Sequence, residues 1–158
     1  MLLIQNNADA LNLKHAIKNV CVEIVLQQIF ILKQTINDLQ LAANNESKST
    51  AGDKHDTSKA ILQQQVAMHH QQLIVAQNQS KQAEALPVAI NDLPTLGSLI
   101  YANEQCFYIG MGIGKKTINN TEIILLAPTA PLAQFFIGLK NKTEGVFNSK
   151  TYTIKQCW

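Results

Sequence analysis

Seven apolar residues, Val22, Val25, Ile29, Leu32, Ile36, Leu39 and Ala43, follow one another at steps of three and four. That stepping is a heptad seam, and it commits this part of the chain to a long helix that buries one stripe against a partner helix. Ile17, Val20, Ile24 and Ile31 form a second stripe beside it. The first half of the helix is thus apolar over a wide arc, and more than one neighbour is needed to cover it. A weaker seam follows Gly52. Leu62, Val66, Leu73, Ala76 and Ala83 keep the same steps once His69 and Ser80 fill the gaps. Between the seams, "ANNESKSTAGD" (43–53) is rich in residues that favour turns and caps. The pattern predicts two helices of about 33 residues, each about 45–50 Å long, as an antiparallel hairpin.

The composition changes near residue 90. Only Gly52 and Pro87 interrupt the helical half, whereas the remaining glycines and prolines and most aromatics come later. "EALPVAINDLPTLG" (84–97) reads as a linker. Beyond it, "GSLIYAN" (97–103), "CFYIGMGIG" (106–114), "TEIILLAP" (121–128) and "KTYTIKQCW" (150–158) read as strands bounded by turn residues. "PLAQFFIGLK" (131–140) starts at a proline and reads as one short helix ended by Gly138. The expected fold class is α+β. A helical hairpin over 1–86 leads through a linker at 87–96 to a small antiparallel β domain with one short helix over 97–158. A module of that size is marginal alone and is expected to lean on the base of the hairpin.

The chain has 158 residues, is 46% apolar and 15% charged, and carries a net charge of +2. That charge offers no electrostatic drive toward nucleic acid. Its 13 basic residues are all lysine, so the bidentate arginine fork for phosphate or guanine is missing. Cys21, Cys106 and Cys157 have neither zinc nor C-x-x-C spacing. They read as reduced thiols, with Cys21 and Cys106 buried. The start lacks the form of a secretory signal. The apolar run 20–33 is broken by Glu23, Gln27 and Gln28, and it reads as too short and interrupted to span a bilayer. A cytoplasmic protein with no membrane partner is the expectation.

Asp53 and Asp56 lie three residues apart at the start of the second helical run, with Glu46 at the end of the first. Capping explains Asp53 and Asp56 readily, because a helix start has free N–H groups and a positive dipole end, whereas Glu46 reads as a solvated surface charge. The same spacing puts both carboxylates on one helix face with Cβ atoms about 5–6 Å apart. Together they can share a hard cation such as Mg²⁺, whose other ligands must come from water and a second molecule. His55 points away from both and is left out. His69 and His70 point about 100° apart and do not suit a shared metal. "GMGIG" (110–114) opens no helix and reads as turn glycines rather than a phosphate loop. The C-terminal region has no histidine for a catalytic triad, and Trp158 reads as closing the small core.

At these residues the chain resembles the Gre family of bacterial transcript-cleavage factors. Gly52-Asp53-Lys54-His55-Asp56 is similar to the family's Gly-Asp-x-x-Glu tip, with Asp56 where the family has Glu. "GSLIYAN" and "APTAPLAQFFIGLKNKTEGVFNSKTYTIKQCW" (127–158) resemble its C-terminal domain of FKBP-like fold. The resemblance implies a coiled-coil finger entering the secondary channel of RNA polymerase, and contact with nascent RNA only through the polymerase. Asp53 and Asp56 would assist catalysis there by helping to hold a Mg²⁺ shared with the polymerase. The chain would be a monomeric accessory factor and not an enzyme by itself. Two alternatives stay open: a regulator that occupies the channel without cleavage, and a structural coiled-coil protein that dimerises.

Overall fold

A computed structural model describes residues 4–46, 53–139 and 143–158, with the side chains of residues 46 and 53–56 outside the described set. It is a mixed α+β structure with two long helices, a six-stranded sheet and a short third helix. The chain divides into two compact units. One comprises residues 1–21 and 83–158, the other residues 22–82.

Helix α1 (Asn7–Glu46) has 40 residues and α2 (Asp53–Glu84) has 32. Two side-chain acceptors cap the start of α1. The Asp9 amide donates to Asn6 Oδ1 at 3.0 Å, and the Gln5 amide donates to Asp9 Oδ2 at 3.0 Å. This is a variant of the capping box, in which Asp9 takes the amide of Gln5, one residue before the cap, and two amides at the helix start are satisfied. In the unit of residues 22–82, Val25, Leu32, Ile36 and Ala43 are buried, and Val22, Ile29 and Leu39 are half-buried. On α2, Ala76 and Ser80 are buried, and Leu62, Val66, His69 and Leu73 are half-buried. Both seams read from the sequence are therefore the sheltered faces of their helices. The second α1 stripe holds less well. Ile17 is buried and Val20 and Ile24 are half-buried, but Ile31 is 55% exposed. By length and composition α1 is apolar enough to cross a membrane, contrary to the reading of residues 20–33 as too short, because the apolar pattern extends back through Ile17 and Leu13. Core helices of water-soluble proteins pass the same test, so no membrane assignment follows.

The other unit contains strands β1 (Leu99–Ala102), β2 (Gln105–Ile109), β3 (Gly114–Ile118), β4 (Thr121–Leu126), β5 (Glu144–Phe147) and β6 (Lys150–Cys157), with helix α3 (Pro131–Leu139) between β4 and β5. The strand order is β3-β4-β2-β1-β6-β5. Among the described strands only β2 and β4 pair in parallel, with Cys106 level with Ile123, so the sheet is mixed and not the wholly antiparallel one that the sequence predicts. The chain segment 110–120 inserts the β3 hairpin strand between the two in sequence. Each of the hairpins β1-β2, β3-β4 and β5-β6 turns through two residues at positive φ: Asn103-Glu104, Asn119-Asn120 and Asn148-Ser149. Left-handed pairs of this kind match the twist of the flanking strands, and Asn tolerates the conformation well. Asn103 is tied further, donating to the Thr151 carbonyl and accepting from the Thr153 amide.

One sheet face presents Ile100, Ala102, Phe107 and Ile109 to Ala133, Phe136 and Leu139 of α3. The Phe107 and Phe136 rings lie 5.2 Å apart, and Phe136 meets Tyr152 edge-on at 5.6 Å. Strand alternation puts Leu99, Cys106, Tyr108, Ile123 and Leu125 on the other face, also buried. The first turns of α1 belong to this unit and bury Ala10, Leu13, Lys14, Ile17 and Cys21.

Three details depart from the sequence reading. The run 106–114 is not one strand. After β2 the chain leaves the sheet, the Gly110 amide donates to the Leu126 carbonyl, and β3 begins anew at Gly114, where φ is +83°. Gly138 lies inside α3 rather than ending it. β3 beyond Gly114 and β5 are strands that the sequence reading leaves out: β3 exposes four of its five residues, and β5 has only four residues.

Candidate functional site

Asp53 is the first residue of α2 and Asp56 the fourth, so both backbones belong to the opening turn. Four orphan amides and the positive end of the helix dipole lie at such a turn. Successive positions three apart on a helix share a face, which is the placement that a cation shared by two carboxylates requires. The carboxylates themselves, like that of Glu46 at the end of α1, lie outside the described side chains. Among the described residues, no three of His, Cys, Asp and Glu gather as a metal-binding set. His69 is engaged with Gln72, its Nδ1 lying 2.9 Å from Oε1.

The most heavily constructed polar group lies elsewhere and escaped the sequence reading. Lys14 is fully buried. Its Nζ donates to the Trp158 carbonyl at 2.9 Å and to the Ala89 carbonyl. The Trp158 carbonyl also accepts the Leu99 amide at 3.0 Å, so both of its lone pairs are used. One turn on, Lys18 donates to the Leu86 carbonyl at 3.2 Å. Burial pulls the Lys14 ammonium below its ordinary pKa, and the neighbouring Cys157 thiol opposes that shift. The signal was present: Ala10, Lys14, Ile17 and Cys21 step by four, three and four, which places a lysine on an apolar face. A lysine there must find carbonyls to bond.

Other titratable groups in this unit are poorly suited to chemistry. Burial raises the Cys21 and Cys106 thiols to about 11, so both stay protonated near neutrality. Burial also raises Cys157, against a hydrogen bond from Ser98 and the charge of Lys14. The Tyr108 hydroxyl is buried without a partner among the described residues, and burial with the nearby Cys21 thiol pushes its pKa upward. Cys21, Cys106 and Trp158 are buried as the sequence reading anticipated.

Comparison with protein-family models, with curated proteins and with solved structures finds no match.

Proposed function

We propose that the chain is an RNA polymerase accessory factor of the Gre type. In this reading α1 and α2 pair as an antiparallel hairpin, and the sheet with α3 is an FKBP-like domain that docks outside the channel. The domains then run over 1–86 and 97–158, with 87–96 as the linker. The observation that carries the reading is the position of Asp53 and Asp56 in the first turn of α2, which in this reading lies at the tip of the hairpin. A helix of 32 residues is about 48 Å long. That is long enough to bring a tip to a catalytic centre recessed in a large partner.

Two carboxylates alone hold Mg²⁺ weakly, so the polymerase supplies the remaining ligands. The residues fit such sharing: they are hard oxygen donors at one-turn spacing. When bound, the ion neutralises phosphoryl charge and acidifies a water. The chain's own part is to deliver Asp53 and Asp56 and to hold them on a rigid helix. The factor is cytoplasmic, meets nascent RNA only within the polymerase, and has no hydrolytic activity alone. One residue favours a second reading, occupancy of the channel without cleavage: Asp56 stands where the family's motif has Glu, one methylene shorter in reach.

Binding is tested by passing the host's RNA polymerase over the immobilised chain, and activity by adding the chain to backtracked complexes. Binding with faster 3′ RNA release supports the cleavage reading. Binding without it supports the second. No binding overturns both.

A further inference from the structure

The three two-residue turns share one backbone shape and differ in how their first asparagine is held. Asn103, Asn119 and Asn148 have φ values of 48°, 48° and 46°, and the residues after them 62°, 59° and 62°. Asn103 is fastened at both ends of its carboxamide. Its Nδ2 donates to the Thr151 carbonyl at 2.6 Å, and its Oδ1 accepts the Thr153 amide at 3.0 Å. Glu104 and Asn120, which follow the first two asparagines, carry long or branched polar side chains; Ser149, which follows Asn148, carries only a hydroxymethyl group. Asn148 and Ser149 are both exposed. Among the described residues neither the Asn148 carboxamide nor the Ser149 amide has a hydrogen-bond partner. Their turn joins β5 to β6, and β5 is the outermost strand on that side of the sheet.

We propose that Asn148 is a modification site that deamidates spontaneously, by attack of the Ser149 backbone nitrogen on the Asn148 side-chain carbonyl carbon. The two groups belong to adjacent residues, so the attack is intramolecular and needs only the right orientation. The Ser149 nitrogen loses its proton to water or hydroxide and bonds to Cγ. The Cγ–Nδ2 bond breaks, and ammonia leaves with a proton from solvent. Water then opens the five-membered imide at either carbonyl, leaving aspartate or isoaspartate. The net change is water in and ammonia out, with no oxidant or reductant. Ring closure requires the carboxamide to turn toward the following amide, which an unbonded side chain beside a small residue permits. Asn103 must first break two hydrogen bonds, so the fold slows it about tenfold or more relative to Asn148. The site is a property of the chain alone and does not depend on polymerase binding.

The product acts on β5. Isoaspartate adds one methylene to the main chain of a turn that closes through two residues, so Phe147 no longer stands opposite Lys150. The Phe147 ring, 5.4 Å from that of Phe135 on α3, loses its fixed place with it. Deamidation is thus a slow, one-way loosening of the sheet edge.

Ageing the full chain at neutral and at mildly alkaline pH, folded and in urea, tests the proposal. Trypsin cleavage after Lys142 and Lys150 gives the peptide 143–150, in which Asn148 is the only carboxamide, so a mass gain of amide to acid assigns the site. Fragmentation of the peptide that holds Asn103 gives the comparison rate. The expected result is a ratio of the Asn148 rate to the Asn103 rate about tenfold or more larger in the folded chain than in urea. The Asn148 rate rises with pH, and isoaspartate is among the products. In the aged chain the β5 amides exchange faster with deuterium. Asn148→Gly keeps the left-handed turn without a carboxamide, and ageing leaves its β5 exchange unchanged. A folded-state rate at Asn148 no faster than that at Asn103 overturns the proposal. So does a ratio of the two rates that folding leaves as it is in urea.

Discussion

Two buried thiols and one buried ammonium pull the alkaline response of this chain in opposite directions. Cys21 and Cys106 have folded-state pKa values of about 11 against an ordinary value of 9.0. A raised thiol pKa contributes stability that is complete below the unfolded value and is lost as pH climbs through the folded one. The window runs from pH 9 to about 11, with an upper bound of about 2–3 kcal/mol for each thiol. Lys14 acts in the opposite direction: its lowered pKa makes stability rise with pH up to its unfolded value of 10.5. Comparison of variants separates the two effects. Urea denaturation at pH 8 and pH 10.5 is expected to show a smaller alkaline loss for Cys106→Ala than for the unmodified chain. Equal losses would remove the thiol explanation. Lys14→Met leaves the Ala89 carbonyl without this donor and is expected to cost about 1–3 kcal/mol at pH 7.

The elements differ in how firmly their residues specify them. Ile36 lies buried on the α1 seam, whereas Leu41 is 54% exposed on the same helix. Ile36→Ala is expected to cost about 2–4 kcal/mol, and Leu41→Ala within about 0.5 kcal/mol, both read as shifts of the denaturation midpoint. At the β5-β6 turn, Ser149 holds a φ of +62°. Ser149→Gly relieves that left-handed conformation and is expected to stabilise the chain by about 1 kcal/mol in the same assay. The seams were legible because long helices repeat their apolar signal over many turns. β1, β2, β4 and α3 were legible because each has a buried face, and β6 because Tyr152 and Ile154 alternate as half-buried residues against the core. β3 was not: four of its five residues are exposed and its lysines look like loop. β5 is too short to show a period, and its neighbours 140–142 lie outside the described residues. Lys14 escaped because its partners, Ala89 and Trp158, are distant in sequence and bond through backbone carbonyls that no side-chain pattern reveals. Asp53 and Asp56 were legible as a helix start, and α2 does start at Asp53. The chemical use proposed for them is not legible in the chain alone, because it depends on groups that another molecule would bring.

At the scale of the whole molecule, one unit is heavily tied and the other sparsely. The sheet unit has a helix on one face, aromatic rings in contact, and backbone carbonyls of distant segments held by Lys14 and Lys18. The described residues of 22–82 lie in two helices whose shelter comes mainly from one stripe each. Asp53 and Asp56 belong to the second unit and are far along the chain from the strands. The central claim is that those acids work inside a polymerase. It is tested most directly by the rate of 3′ RNA release from backtracked complexes of the host polymerase at fixed Mg²⁺, with the unmodified chain and with Asp53→Asn combined with Asp56→Asn. The account predicts acceleration by the unmodified chain and a loss of about 10²-fold or more of that acceleration in the double variant, while polymerase binding persists. Equal acceleration by both chains would contradict it.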